Sequence, residues 1–253
     1  MKTNNYTNMK KTLLMLFVAL FAVTAGMAQE KPYTVVFYNL ENLFDIYDDP
    51  ETHDEEFLPD GVKQWNEIKY QKKLTNMERV LFDIAAIQKE YPIVIGVSEI
   101  ENRSVLEDLV SQPKLKGANY RICHYDSPDE RGIDVALLYR PDKFHYVGSR
   151  AIRSEADPAT RDILTVWGEM VGKTTFIVVV HWPSRIGGVK FTEPKRRASA
   201  QQLRKIVDSV MVENPATRII VMGDMNDNPR NKSITEDLRA TARPAAATDL
   251  YNP

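Results

Sequence analysis

One pattern constrains this chain more than any other: apolar, largely β-branched runs that stop abruptly on a polar side chain. Ile219-Ile220-Val221-Met222 has the make-up of a short buried strand, Gly223 breaks it, and Asp224 and Asn226 follow before Asn228-Pro229 forces a turn. Two polar side chains separated by one residue, leaving a strand, point the same way. Tyr33–Tyr38 ends at Asn39, Pro92–Ser98 ends at Glu99, and Thr174–Val180 ends at His181. Each ending has an ordinary explanation. Asp and Asn satisfy their own backbone in turns, an acid such as Glu99 is favoured near a helix start, and a lone His after a strand is usually structural. Glu101 has the better claim to the helix-start role, because it lies nearer to Ser104-x-x-Glu107, which has the form of a capping box. It is the recurrence that points to chemistry: if the carboxyl ends cluster, one crevice holds two carboxylates, two amides and an imidazole.

The rest of the chain supplies the frame. From about Asn66 to Lys89, apolar residues recur at helical spacing, and charged residues fill the other side as a solvated face. Asp45 to Asp60 reads as an acidic, irregular surface loop. Tyr120–His124, Ile133–Tyr139, Phe144–Val147 and Ile163–Trp167 read as strands, Val105–Val110 as a short helix, and Glu193–Val212 as a helix with Pro194 in its first turn. Gly187-Gly188 marks a loop after His181. There is no internal repeat. This order of strands and helices predicts an α/β (α+β) architecture of two packed sheets with helices outside.

Composition sets the outer bounds. The 253 residues, 43% hydrophobic and 27% charged, suffice for one large domain, and the formal net charge of −2 comes with no basic run of the nucleic-acid-binding kind. A polyanionic substrate would have to be met locally, with a bound cation supplying positive charge. Lys10-Lys11, the apolar run Leu13–Val23 and the small-residue exit at Ala28 have the form of a secretory signal, too short for a comfortable membrane span. The expected division is therefore a signal peptide at 1–28 and one domain at 29–253, exported to the periplasm or the medium. A cleavage site without Cys gives no lipid anchor. Cys123, the only Cys, excludes an internal disulfide and a Cys-based metal cluster.

A crevice of this kind suits divalent-metal hydrolysis of a phosphoester. Hard carboxylate oxygens from Glu99, with Asp224 beside it, suit Mg²⁺. The metal would neutralise charge on phosphoryl oxygens. An imidazole with an unperturbed pKa of about 6.5 can exchange protons near neutral pH.

Asn39-Leu40-Glu41-Asn42, the run ending at Glu99, His181 and Gly223-Asp224-Met225-Asn226, in that order, resemble the endonuclease/exonuclease/phosphatase superfamily over roughly residues 33 to 230. The resemblance implies a four-layered α/β sandwich and Mg²⁺- or Mn²⁺-dependent phosphoester cleavage. It places Asn39 near metal and phosphate and makes Glu99 the principal metal ligand. It gives His181 acid–base work or a hydrogen bond to a phosphoryl oxygen. Asp224 would orient or deprotonate water, and Asn226 would hold Asp224 and the phosphate. Arg161 resembles a phosphate-contacting Arg of the secreted nucleases, and Arg185 is a second candidate; the alternative for each is a surface charge. Two departures matter. Ile133 stands where some repair nucleases carry a Tyr, which disfavours apurinic-site repair. The family's closing Ser-Asp-His run does not follow Asn228, so the last strands are expected to be missing and the domain truncated. The resulting expectation is an exported phosphodiesterase, monomeric and without a membrane anchor, acting on DNA or RNA. A lipid or inositol-phosphate phosphoesterase and a non-catalytic binding protein on the same scaffold are the alternatives.

Overall fold

The structure, a computed structural model, describes residues 33–155 and 160–253. The expected signal at 1–28 lies outside the described residues. The strands and helices named below all belong to the unit Thr34–Pro253.

Two four-stranded sheets form its centre. The first has the order β1-β2-β4-β3, from β1 (Val35–Leu43), β2 (Val94–Ile100), β3 (Arg121–His124) and β4 (Asp134–Tyr139). The second has the order β5-β6-β7-β8, from β5 (Phe144–Ile152), β6 (Ile163–Met170), β7 (Lys173–His181) and β8 (Arg218–Asp224). In each sheet one pair is parallel, β1 with β2 and β7 with β8, and the other pairs are antiparallel. Helices α1 (Glu67–Gln88) and α2 (Arg103–Ser111) belong to the first sheet's layer, and α3 (Val189–Glu213) to the second's.

The period-2 alternation of strand side chains splits each apolar run between two layers. On β4, Val135 and Leu137 join the core between the sheets, while Ala136 and Leu138 join the cluster formed with α1 and α2. On β7, Ile177 and Val179 face the other sheet, while Phe176, Val178 and Val180 pack with Ala200, Leu203 and Val207 of α3. Strands buried on both faces lose their polar alternation, which is why these segments read as continuous apolar runs. The result is the expected four-layered sandwich of two packed, mainly antiparallel sheets with outer helices.

Several boundaries differ from the sequence reading. Asn102, not Ser104, caps α2: its side chain accepts from the Val105 backbone N–H at 3.2 Å, and Glu107 instead pairs with Arg103. Glu101 is buried, accepts from the Asp45 N–H at 2.7 Å, and is lifted by burial to about 8, so it does not serve the helix start. Helix α3 begins four residues before Glu193, directly after the Gly187-Gly188 turn, with Pro194 inside it. The acidic Asp45–Asp60 segment is irregular as expected apart from a short 3-10 turn at Glu55–Phe57, and it is anchored where Phe57 stacks on Phe44 with centroids 4.0 Å apart and packs with Ile133. Beyond β8 lie a π-helical turn, Ser233–Asp237, and a two-residue parallel ladder of β9 (Ala240–Thr241) and β10 (Leu250–Tyr251). Among the described residues β1 and β8 each have one ladder neighbour.

The two sheets meet closely where Gly96 of β2 faces Met222 of β8. A Cβ on Gly96 would lie 2.4 Å from the Met222 sulfur. This contact brings the carboxyl ends of β2 and β8 together, and the parallel pairings add those of β1 and β7.

Candidate active site

The polar residues expected at strand ends are aimed by local distortions, and Asn39 does not end its strand, because β1 continues to Leu43. In β2, Ser98 pairs with Val135 and Ile100 with Asp134, leaving Glu99 as the extra residue of a bulge. Its φ of 57° is left-handed, a conformation rare for residues other than Gly, Asn and Asp. The bulge turns the Glu99 carboxylate out of the sheet alternation. In β1 the register shifts between Asn39 and Leu43, with Glu41 and Asn42 at φ 52° and 61°. The Asn39 side-chain oxygen accepts from the Glu41 N–H at 2.7 Å, which fixes the amide's other end. Lys73 of α1 donates to the Glu41 carbonyl at 2.9 Å, tying the bulge to the helix layer. In β8, Gly223 has φ 152°, and a Cβ there would lie 2.1 Å from the Val180 carbonyl oxygen, so β7 and β8 close up just before His181 and Asp224.

These devices bring four expected residues together. The Asn39 amide nitrogen donates to Glu99 Oε1 at 3.0 Å and to Asp224 Oδ2 at 3.1 Å. His181 Nε2 lies 3.7 Å from Glu99 Oε1. One ligand atom from each of Glu99, His181 and Asp224 falls within 4.8 Å of the others. Asp224 Oδ1 accepts from the Asn226 backbone N–H at 2.9 Å, while the Asn226 amide donates to the Trp182 carbonyl at 3.0 Å. Asn226 thus steadies Asp224 through its main chain and the Trp182 loop through its side chain.

The His181 side chain is 3% exposed. Burial, reinforced by the Arg161 charge and only partly opposed by Asp224, holds its imidazole well below the ordinary His range. That favours the neutral imidazole, which can ligate a metal, donate one N–H hydrogen bond or accept a proton. Its Nδ1 is buried with no hydrogen-bond partner among the described residues.

The two arginines are placed differently. Arg161 is buried, donating to Asp129 Oδ2 at 2.9 Å and to the Trp182 carbonyl at 2.8 Å, with no partner for its Nε among the described residues. Arg185 donates to the Asn226 carbonyl at 2.6 Å and to Asp227 at 3.0 Å. Glu99, Arg161, His181 and Asn226 line a cavity of about 510 Å³, which also meets Arg131 and Lys195. Arg185, Asp224 and Asn226 line a second recess of about 620 Å³ along β8. Neither arginine is the bare surface charge that isolated residues suggest.

Sequence reasoning missed Asp129 and Asp227. Asp129 sits in a Pro-Asp-Glu-Arg-Gly stretch that reads as a turn, and its partner is 32 positions away. Asp227 follows Asn226 directly, but Arg196, which it meets across a buried ion pair, gives no local sign of that role. A further group, His124 with Asp126 and Asp134, also has metal-ligand spacing; the His124–Asp134 pair is 2.9 Å apart and buried, and Ser127 donates to Asp134.

The residues around Glu99 fit a divalent cation. Two carboxylates converge on the Asn39 amide with an imidazole beside them, a donor set of hard oxygens and one nitrogen that a divalent cation can take. Among the described residues no helix is long and apolar enough to cross a membrane.

A search of the curated proteins finds no match. Among solved structures, the fold is similar to that of a mannosyl-6-phosphatase of Bacteroides thetaiotaomicron, with TM-score 0.55 and 16% identity over 82% of this chain and 70% of that one. It is similar to an endonuclease/exonuclease/phosphatase family protein of the same organism, with TM-score 0.50 and 18% identity over 82% of this chain and 68% of that one. It is also similar to D. rerio TDP2 humanized by 14 mutations, with TM-score 0.52 and 14% identity. That alignment covers 80% of this chain and 65% of the other, so the chain spans just under two thirds of that relative's length. At these identities the likeness is one of fold. The sequence itself matches the Endonuclease/Exonuclease/phosphatase family over residues 34–253, and the chain belongs to that family.

Proposed function

We propose that this family member is an exported, Mg²⁺- or Mn²⁺-dependent phosphodiesterase that cleaves nucleic acid. The observation that carries the reading is the cluster of Glu99, His181 and Asp224 bridged by the Asn39 amide. Glu99 and Asp224 would hold the cation, with His181 beside them. When bound, the cation supplies Lewis-acid stabilisation of charge on a phosphoryl oxygen. Asn39 orients both carboxylates through one amide. His181 offers acid–base work or a hydrogen bond to a phosphoryl oxygen, and the Asn226 main chain keeps Asp224 in place. The Lys10–Ala28 segment supports export.

A second reading, a sugar- or lipid-phosphate phosphoesterase, is favoured by one observation. Arg161, the side chain that resembled a nuclease phosphate contact, already donates to Asp129 and to the Trp182 carbonyl. A substrate panel with Mg²⁺ and with chelator separates the two: plasmid DNA, RNA, sphingomyelin, an inositol phosphate and a hexose phosphate. Metal-dependent nicking of DNA or RNA is the expected result. Turnover of a lipid or sugar phosphate without nicking selects the second reading, and no turnover of any substrate leaves a binding protein on the same scaffold.

A further inference from the structure

The cavity that meets Glu99 and His181 is larger than one phosphate requires, and the remainder of its wall is cationic. Lys195, in the second turn of α3, lines it, and its ammonium has no hydrogen-bond or ion-pair partner among the described residues. Arg131, from the loop before β4, lines it too; its guanidinium is half-exposed and 3.5 Å from Asp129. Asp129 already accepts from Arg161 at 2.9 Å and from Thr160 at 3.4 Å, so one carboxylate serves two arginines. Arg161 lines this wall as well, and its Nε is buried with no hydrogen-bond partner among the described residues. Glu130 is the other acid here. Away from Glu99, three cations therefore face two carboxylates, and the surplus charge is the one that no protein group engages.

We propose that Lys195 and Arg131 form a second anion subsite, so that the substrate carries another phosphate beside the one presented to Glu99 and His181. This deepens the phosphoesterase reading and rests on it. A lone phosphoester would leave Lys195 unpaired in a partly enclosed space, whereas a neighbouring phosphate gives it a charge-assisted partner. The shared chemistry is a pair of phosphates on one sugar or polyol, which a polynucleotide and a bisphosphorylated polyol both supply.

Titration calorimetry tests it, first in chelator and then with Mg²⁺. The probes are a nucleoside bisphosphate with one phosphate on each side of the sugar, the matching nucleoside monophosphate, and an inositol bisphosphate. The parent is expected to bind at least one bisphosphate about tenfold more tightly than the monophosphate, roughly the gain of one charge-assisted contact. Lys195→Ala and Arg131→Ala should each remove most of that margin while changing monophosphate affinity by less than about twofold. Lys195→Arg should keep the margin, and so should Lys190→Ala, which alters a lysine of the same helix that does not line this cavity. Lys195→Gln serves if the Ala variant melts early. A margin confined to the nucleoside bisphosphate identifies a polynucleotide source, and one equal or larger for the inositol compound identifies a polyol. No margin in the parent, or a margin that survives loss of Lys195 and Arg131, overturns the proposal. Binding separates this from the hydrolase reading: turnover without a margin removes the subsite alone, and a margin without turnover removes the hydrolase alone.

Discussion

Arg196→Met probes the lock that holds the loop beyond β8. The Arg196 and Asp227 side chains are both buried, with Arg196 Nε 2.9 Å from Asp227 Oδ1. The guanidinium also donates to Thr192 Oγ1 at 2.7 Å and to the Ser184 and Val189 carbonyls at 3.3 Å, so it joins the start of α3 to the Trp182–Arg185 loop. Met keeps the length of the stem and removes the charge. Losing one half of a buried pair costs about 3–5 kcal/mol, mostly the penalty of the stranded partner. Here Asp227 would still accept from Arg185 at 3.0 Å, Asn231 at 2.7 Å and Ser233 at 2.6 Å, so the lower end, about 3 kcal/mol, is expected. At roughly 2–4 °C per kcal/mol for a domain of this size, the melting temperature should fall by roughly 6–12 °C at pH 7.

The pH dependence is a second signature of the same pair. Burial alone would raise the Asp227 carboxyl, but the Ser233 hydroxyl and Arg196 outweigh it and hold the group below the ordinary carboxylate range. A depressed folded value contributes stability that is present above the unfolded value of about 3.9 and lost as pH falls through the folded one. The variant lacks much of that contribution, so the gap between parent and variant should narrow as pH falls below about 4. Adding Asp227→Asn to Arg196→Met should recover part of the loss at pH 7. Circular-dichroism melts across pH read all three effects. A variant within about 2 °C of the parent at pH 7, or a gap that does not narrow in acid, refutes the assignment of this pair as the lock.

Four other substitutions test the site itself. Glu99→Gln keeps size and the Asn39 contact but removes a charge; the parent should gain about 2.7 kcal/mol of stability with Mg²⁺ at a hundred times its Kd, and the variant almost none, so an equal Mg²⁺-dependent rise in melting temperature would remove Glu99 as a ligand. Asp224→Asn and His181→Ala should each lower steady-state turnover about 10²-fold or more, and rates within a few-fold of the parent would sink those roles. Gly223→Ala places a Cβ 2.1 Å from the Val180 carbonyl oxygen at a φ of 152°, so backbone movement should cost roughly 1–3 kcal/mol and displace Asp224, read as a lower melt together with lost activity; a normal melt and full turnover would contradict the close approach of β7 and β8.

Much of the frame was legible because it rests on short-range physics. The helical period between Asn66 and Lys89 matches α1 to within about a residue at each end, since the Asn66 cap and the apolar stripe are both local signals. The β-branched run at Thr174–Val180 lies within β7 for the same reason. His181 and Asp224 end β7 and β8 as the sequence predicts and Glu99 stands one residue before the end of β2, but β1 runs past Asn39 to Leu43 through a shift in register. The errors fell where two local signals competed. Asn102 displaced Ser104 as the cap of α2, and α3 began earlier than Pro194 suggested because a Gly-Gly turn can start a helix that a proline does not end at its first turns.

Which face of each strand meets which layer was not written locally. Ile177 and Val178 are alike as residues, and only the stacking of two sheets sends one inward to the other sheet and one outward to α3. The same holds for charge. Arg161 and Arg185 read as surface residues or phosphate contacts, yet tertiary structure gives one to Asp129 and the other to Asp227. It also aims Glu99 through a bulge and joins Asn39 to Asp224 across 185 positions. Sequence determined the elements and the residue types at their ends, because backbone propensity and side-chain period act over a few residues. Partners, burial and direction were decided by the tertiary fold, because desolvation and ion pairing depend on whatever distant segment is packed alongside.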